Sequence, residues 1–232
     1  MGDAFTRAQL KINQTILIHG GAGGVGIPTI QLAKAMGATV YTTARSVHHE
    51  FLKGLGADYT IDYEKQNYID AILEMTNNNG VDVVIDTIGG TTLSDSGKIL
   101  NQMGQVVTLV DIEIPQNLIH AWGKNATYHF VFTRQNRNKL DELTKLIESG
   151  KLKPVLNRVY PLSEIGKAHS LLEFRDSDPD FYGPAFEQEK TVQRLYNIRS
   201  VPVLIRRLSE AGTPPPHTKV IKLIRIADCH NC

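Results

Sequence analysis

Three glycines at the spacing G-x-G-x-x-G could hold a negatively charged ligand against the main chain. They are Gly21, Gly23 and Gly26, within the run ILIHGGAGGVGIPTIQLAKAMGATVYTTARS. The apolar residues before them predict a strand, and the pattern after them predicts a helix. In that setting glycines allow a tight turn and close approach of a pyrophosphate, while the helix N-terminus offers free N–H groups to the anion. The sequence therefore predicts a phosphate-binding loop, and the alternative is a turn with no ligand.

The residues that follow the loop exclude a nucleoside triphosphate site of the P-loop type. Such a site needs Gly-Lys-Ser/Thr after its loop, because the lysine reaches the terminal phosphates. Here Gly26 is followed by Ile27 and Pro28. We therefore expect a dinucleotide.

The end of the second predicted strand indicates which dinucleotide. A site selective for NAD places an acidic residue about 20 residues after the glycines, where it accepts hydrogen bonds from the ribose. This chain has no Asp or Glu between Asp3 and Glu50. The strand end offers guanidinium, hydroxyl and imidazole groups instead, from Thr43, Arg45, Ser46, His48 and His49. Because arginine binds phosphate oxygens in a charge-assisted fork, we predict NADP(H) over NAD(H), FAD or S-adenosylmethionine. A solvated surface arginine is the alternative for Arg45.

Other chemistries find little support. We find no Ser/His/Asp spacing or paired carboxylates, and we name no catalytic residue. Zinc needs three protein ligands, yet the predicted nucleotide-binding region contains no cysteine, so we predict no metal site. His19, at the end of the first predicted strand, is expected to hydrogen-bond within the glycine loop rather than to bind a metal. The C-x-x-C pair Cys229 and Cys232 ends the chain, where a frayed terminus is favoured over a redox or zinc site.

Strand and helix patterns alternate over the first two thirds of the chain. The strand patterns cover 15–20, 39–44, 59–63, 81–87, 105–111 and 127–132, and the helical patterns cover 27–36, 47–56, 68–78 and 93–103. Gly37, Gly56, Gly80 and Gly104 each stand before a strand, where helices end in a left-handed residue. This order predicts an α/β fold: a doubly wound, six-stranded parallel sheet with helices on both faces.

The rest of the chain divides into two parts. Apolar residues line one face of each of two further predicted helices: Leu140, Leu143, Leu146, Ile147, and Ile165, Ala168, Leu171, Leu172. An extended segment at 153–162 lies between them. Beyond 175 the composition changes, so we predict an NADP-binding domain over 1–175 and an atypical C-terminal tail of unknown structure over 176–232.

Composition limits the partners. The 232 residues carry 25 Lys and Arg against 24 Asp and Glu, so no global field attracts nucleic acid or an anionic membrane. No stretch approaches the roughly 18 apolar residues of a membrane span. Two cysteines exclude a disulfide framework. We expect a cytoplasmic protein with a small-molecule substrate.

The ordered series HGGAGGVG, IQLAKAMGATVYTTARS, LGADYTIDY, GVDVVIDTIGG and IESGKLKPVLNRVYPLSEIGKAHSLLE resembles the cofactor-binding domain of the medium-chain dehydrogenase/reductase superfamily. The zinc-free quinone oxidoreductase and enoyl reductase branch is the most similar, and the resemblance covers 5–174. It implies NADPH as hydride donor and a quinone or α,β-unsaturated carbonyl as acceptor.

The resemblance also implies roles for individual positions. Residues expected at the pyrophosphate are Gly23, Gly24, Val25 and Gly26. Residues expected at the adenosine end are Thr43, Arg45 and Ser46, with Tyr63 near the adenine. Residues expected at the nicotinamide ribose are Ile88, Gly89 and Val110. The segment Phe130, Val131 and Phe132 is expected beside the nicotinamide amide, and core packing of the two phenyl rings is the alternative.

Two departures leave the activity open. Members of the superfamily have an additional N-terminal domain that forms the other wall of the substrate cleft, whereas this sequence starts near the first strand. Their closing C-terminal strand is replaced by RDSDPDFYGP and further residues. We therefore expect either a reductase that lacks its substrate-side domain, or a non-catalytic NADP(H)-binding or assembly module. Exposure of the apolar residues in 153–162 predicts a homo-oligomer or a complementing chain.

Overall fold

The computed structural model describes residues 2–110, 119–132, 136–156 and 159–167. Its strands are β1 Thr15–Ile18, β2 Thr39–Thr43, β3 Tyr59–Ile61, β4 Val81–Asp86, β5 Leu100–Thr108 and β6 Thr127–Phe130. Its helices are α1 Gly2–Ala8, α2 Gly26–Ala35, α3 His49–Gly54, α4 Tyr68–Met75, α5 Thr91–Ile99, α6 Ile119–Trp122 and α7 Arg137–Glu148. Short 3₁₀ turns lie at Ser46–His48 and Leu162–Glu164.

The six strands form one parallel sheet in the order β3-β2-β1-β4-β5-β6. The chain leaves β1 in one direction to reach β2 and β3, and it returns past β1 to reach β4. Right-handed crossovers in opposite directions place their helices on opposite faces of the sheet. The predicted fold class is confirmed. The strand order reverses between β1 and β4, and sheets of this kind bind ligands at such a reversal, beside the carboxyl ends of the strands.

The central strands are buried on both faces. Ile16, Leu17 and Ile18 of β1 are completely inaccessible to solvent, as are Val84 and Ile85 of β4. A strand covered by helices on both sides is apolar throughout rather than alternating, which explains the continuous apolar runs in the sequence. This core fixes the carboxyl ends of the strands, from which the candidate site is built.

The prediction of a helix over 93–103 is wrong for its last four residues. Helix α5 ends at Ile99, and β5 begins at Leu100. Val81 pairs with Leu100 and Val83 with Gln105, so the intervening residues of β5 bulge out of the ladder. Apolar residues at helical spacing therefore occur in a distorted strand.

Three of the four glycines expected to end helices do so with positive φ: Gly37 at 81°, Gly56 at 110° and Gly80 at 79°. Gly104 does not, because it lies within β5. Its neighbour Met103 takes the left-handed conformation instead, with φ 61°, and donates its N–H to the carbonyl of Lys124 over 2.8 Å.

Two helices have no counterpart in the sequence prediction. Helix α1 buries Ala4, Phe5 and Ala8, and it packs on β5. The single turn α6 buries Ala121 and packs on α5. Both are too short to show the repeated apolar spacing that identifies a helix.

The chain divides into two units between Pro154 and Val155. In the first unit, Leu143, Leu146 and Ile147 of the apolar face predicted for α7 are half-buried, whereas Leu140, predicted on the same face, is 62% exposed. In the second, Lys167 Nζ lies 3.2 Å from Glu164 Oε1. The described parts of 153–162 form no strand. The predicted boundary at 175, the tail 176–232 and the positions Ala168, Leu171, Leu172, Cys229 and Cys232 lie outside the described residues. None of the helices in the described ranges has the length and apolar character of a membrane span.

Candidate functional site

The glycine loop joins β1 to α2 at the carboxyl edge of the sheet. A Cβ on Gly21 would collide with Thr42 Oγ1 of the neighbouring strand, and one on Gly26 would lie 2.6 Å from Gly21 Cα. The loop is therefore folded tightly between β1, β2 and the start of α2. Only glycine fits these two positions without displacing main chain or a buried hydroxyl.

Main-chain hydrogen bonds hold the first half of the loop. The N–H of Gly21 donates to Thr43 O over 3.0 Å, and that of Gly23 donates to Gly20 O over 2.9 Å. The amides of Gly24, Val25 and Gly26 have no acceptor among the residues that the structure describes. Three consecutive N–H groups are thus left for a ligand.

Helix α2 begins at the last of these amides, so its amino end belongs to the same part of the site. Helices α4 and α7 each begin with an asparagine whose side chain accepts a main-chain N–H, Asn67 from Ile69 over 2.9 Å and Asn136 from Lys139 over 3.2 Å. Helix α2 has no side-chain cap at Val25 and no acidic residue in its first turn. No described side chain therefore satisfies its positive end, where an anion would be stabilised.

Gly24 forms the open face of the loop. It is exposed, and a Cβ added there would meet no described atom within 4 Å. The space that a side chain would fill is therefore available to a ligand atom beside the free amides. These features fit a pyrophosphate.

The ends of β2 and β3 form the second part of the site. Thr43 pairs with Ile61, and the N–H of Ala44 donates to Ile61 O over 3.0 Å. Parallel pairing brings Arg45 and Ser46, which follow β2, to the same edge as the residues that follow β3. Tyr63, predicted near the adenine, is among them and is 53% exposed.

A carboxylate does occupy this edge, although no acidic residue follows β2. Asp62, directly after β3, is 5% exposed. Its Oδ2 accepts hydrogen bonds from the hydroxyl and the N–H of Ser46, the latter over 3.1 Å, and its Oδ1 accepts from Glu64 N–H over 3.0 Å. The Ser46 hydroxyl, together with these amides and Lys65, lowers the Asp62 pKa to about 2. The carboxylate is therefore ionised and engaged by the protein itself.

Thr43 lies against the inside of the loop. It is 4% exposed, and its Oγ1 accepts the N–H of Gly20 over 3.2 Å and lies 3.3 Å from His19 Nδ1. His19 was expected to hydrogen-bond within the glycine loop, but its partner is Thr43 at the end of the neighbouring strand β2. Burial lowers the His19 pKa to about 4, although the Asp86 carboxylate acts to raise it.

The two histidines after Ser46 are turned toward the protein. His48 is 4% exposed, and burial is the main cause of its lowered pKa, with Arg45 and His49 contributing in the same direction. His49 Nε2 lies 3.1 Å from the carbonyl oxygen of Ala44. Neither imidazole extends from the edge as the sequence analysis expected.

The loop after β4 is shaped by Asp86, which is completely buried. Its Oδ1 accepts N–H groups of Ile88 and Gly89 at 3.1 Å each and the Thr92 hydroxyl at 2.9 Å, and its Oδ2 accepts the Thr108 hydroxyl at 3.2 Å. Gly89 is buried, whereas the Ile88 side chain is 58% exposed. Both predicted residues therefore have fixed positions at the carboxyl edge.

The ends of β5 and β6 complete this edge. Val110 is half-buried, and Val131 N–H donates to Thr108 O over 3.1 Å. Phe130 is 67% and Phe132 87% exposed. The alternative that both rings belong to the core is therefore wrong.

All of the predicted positions lie at the carboxyl ends of β1, β2, β3, β4, β5 and β6. Sequence reasoning missed Asp62 and Lys65, because their roles depend on which strands are neighbours. It also missed Asp86, most of whose donors lie in the loop and the first helical turn that follow it. Within the described ranges no group of three His, Cys, Asp or Glu side chains could hold a metal. The prediction of no metal site stays a prediction for the whole chain.

Comparison with known proteins agrees with this architecture. The zinc-binding dehydrogenase family matches residues 55–177. A highly reducing polyketide synthase of Emericella nidulans is 37% identical over 183 residues, 72% of this chain and 7% of the synthase. The chloroplastic NADPH-dependent alkenal/one oxidoreductase of Arabidopsis thaliana is 35% identical over 74% of this chain and 40% of its own length. The solved quinone oxidoreductase from Coxiella burnetii is 37% identical with a TM-score of 0.66, covering 74% of this chain and 52% of that one.

The chain thus spans about half of the length of the quinone oxidoreductase and less of the other relatives. The matched part is the one that binds a nicotinamide cofactor in this family. The chain belongs to the zinc-binding dehydrogenase family and, within the medium-chain dehydrogenase/reductase superfamily, to the branch of zinc-free quinone oxidoreductases and enoyl reductases, of which it carries the cofactor-binding part.

Proposed function

We propose that the chain binds NADP(H) and is the cofactor-binding part of an oxidoreductase that transfers a hydride to a quinone or an α,β-unsaturated carbonyl. The observation that carries this proposal is the set of three amides, Gly24 to Gly26, that bond to none of the described residues and lie at the start of α2, where no described side chain provides a cap. Main-chain donors and the helix dipole together stabilise a pyrophosphate. The name of the Arabidopsis relative, which specifies NADPH, supports the choice of dinucleotide.

The other predicted residues then divide along the dinucleotide. Arg45 holds the 2′-phosphate with Ser46 beside it, and Tyr63 lies at the adenine. Ile88, Gly89 and Val110 border the nicotinamide ribose, and Val131, between two exposed phenyl rings, borders the nicotinamide.

The bound cofactor supplies the hydride, so this chain needs no nucleophile of its own. Its residues bind and orient. Asp86 fixes the amides of Ile88 and Gly89 at the carboxyl end of β4. The exposed side chains of Ile88, Phe130 and Phe132 provide apolar surface that excludes water once a second surface covers it.

A second candidate function is a non-catalytic NADP(H)-binding or assembly module. The exposed phenyl rings of Phe130 and Phe132 favour it, because uncovered aromatic side chains are typical of a surface that contacts another protein.

Dinucleotide titration tests the proposal. Gly24→Ala should raise the dissociation constant of NADPH at least about tenfold, because a methyl group would separate the phosphate from the amides. The matched control is Gly54→Ala in α3, where an added Cβ also meets nothing within 4 Å. It should leave the dissociation constant unchanged. Equal affinities in all three proteins would refute the assignment of the loop.

Turnover assays with 1,4-benzoquinone and a crotonyl thioester separate the two candidate functions. NADPH oxidation that depends on either acceptor supports the reductase. Tight NADPH binding without turnover supports the module.

A further inference from the structure

The turn after β3 carries a lysine that is directed back to the end of β2. Lys65 N–H donates to Asp62 O over 3.1 Å, and Gln66 N–H donates to the same carbonyl over 3.0 Å. The Asp62 carboxylate accepts Glu64 N–H in addition. Main-chain hydrogen bonds therefore fix the direction in which the Lys65 side chain leaves the turn.

The Lys65 ammonium lies beside the group expected to hold the 2′-phosphate. Its Nζ is 2.5 Å from Ser46 Oγ and 3.3 Å from Asp62 Oδ2. An ammonium has three N–H donors, and two suffice for these contacts. Because the Lys65 side chain is 70% exposed, the remaining donor faces solvent.

The charges at this edge show why a second cation matters. Asp62 is ionised and bonded to Ser46, so a phosphate placed at Ser46 would lie close to a carboxylate that repels it. Lys65 is in contact with both groups and offsets the Asp62 charge. The Ser46 hydroxyl already donates to Asp62 and accepts from Lys65, and so contributes less to phosphate binding than the cations.

We propose that Lys65 is a specificity-determining residue that binds the 2′-phosphate of NADP(H) together with Arg45, while Asp62 positions the lysine. This assignment rests on the proposed function. The sequence analysis placed the phosphate-binding groups only after β2, whereas this proposal takes one of the two cations, Lys65, from the turn after the neighbouring strand β3.

The test measures dissociation constants of the full chain for NADPH and NADH, and for 2′,5′-ADP and 5′-AMP, which differ only in the 2′-phosphate. Lys65→Gln should weaken NADPH and 2′,5′-ADP about tenfold, the value of one charge-assisted hydrogen bond, and change NADH and 5′-AMP less than about twofold. Lys65→Arg should keep the preference for the phosphorylated ligands. The salt dependence of NADPH binding should also fall in Lys65→Gln.

Lys98→Gln is the matched control. Lys98 also pairs with an aspartate three residues earlier, at 2.6 Å from Asp95 Oδ1, but it lies near the end of α5 that leads into the amino-terminal end of β5. It should change none of the four constants. Because Lys65 is exposed, we expect its variants to fold, and circular dichroism checks this.

The outcomes separate the two proposals. If the wild-type chain binds neither dinucleotide, the proposed function fails. If the wild-type chain prefers NADPH, Arg45→Glu abolishes the preference and Lys65→Gln retains it, the proposed function stands and the role of Lys65 is refuted.

Discussion

At the residue scale, the buried imidazole of His19 links the first two strands. The residue is 1% exposed, and its Nδ1 atom lies 3.3 Å from Thr43 Oγ1. Its ring packs edge-on with the ring of Tyr68, with the two centroids 4.9 Å apart. The Nε2 atom has no partner among the described residues. A neutral imidazole tolerates this position, whereas a protonated one would place an uncompensated donor in the core.

This burial predicts a loss of stability in mild acid. The folded pKa of His19 is about 4 against an ordinary 6.5, so the unfolded chain binds the proton first. The stabilisation is complete above pH 6.5 and is lost as the pH falls toward 4, about 2 kcal/mol of it between pH 7 and pH 5. We expect His19→Phe, which keeps a ring against Tyr68, to have a flatter pH profile. Urea unfolding at both pH values measures the difference, and equal losses in the two proteins would contradict the role of His19.

At the scale of elements, β4 carries one carboxylate anchor at each end, a half-buried one at Asp82 and a fully buried one at Asp86. Asp82 accepts the N–H and hydroxyl of Thr15 at 2.8 and 2.9 Å, which ties the amino ends of β4 and β1 together. Asp86 accepts four donors at the carboxyl end and shapes the loop toward α5. The two ends of β4 thus carry carboxylates with different roles: Asp82 stabilises the sheet, and Asp86 shapes the candidate site.

This separation is testable with a pair of substitutions on the same strand. Asp82→Asn and Asp86→Asn should each lower the free energy of unfolding by about 1–3 kcal/mol, because each replaces an acceptor oxygen with a donor. Only Asp86→Asn should weaken NADPH binding, since the amides of Ile88 and Gly89 would lose a fixed acceptor. Calorimetric titration beside urea unfolding measures both quantities. Weakened NADPH binding of the same size in Asp82→Asn would show that general destabilisation is the cause.

The elements also show what a sequence can and cannot predict. Apolar periodicity and turn glycines predicted all six strands and the doubly wound α/β fold class, because burial on both faces of a parallel sheet leaves a strong pattern. The start of β5 was missed because its bulge has helical apolar spacing. Asp62 and Lys65 were missed for a different reason: they are distant in sequence from Arg45, and only the pairing of β2 with β3 brings them together.

At the scale of the whole molecule, the first unit gathers every candidate contact on one sheet. The glycine loop follows β1, Arg45 follows β2, Lys65 follows β3 and Asp86 ends β4. The unfolded chain keeps none of this arrangement. The formal charge of +1 provides no long-range attraction for a dinucleotide. Affinity for the dinucleotide therefore has to come from the residues that folding brings together at the carboxyl ends of the strands.

Ligand binding should therefore stabilise the fold. A ligand that binds only the folded state at 100 times its dissociation constant adds about 2.7 kcal/mol, which raises the Tm of a protein of this size by about 5–10 °C. We expect NADPH to do this in thermal unfolding, and NADH at the same concentration to give a smaller shift because it lacks the 2′-phosphate. Gly24→Ala at that NADPH concentration should show at most about half of this shift, since a dissociation constant raised about tenfold leaves about 1.4 kcal/mol of stabilisation. A rise in Tm that is equal for NADPH and NADH would place the binding energy outside the edge formed by Arg45 and Lys65.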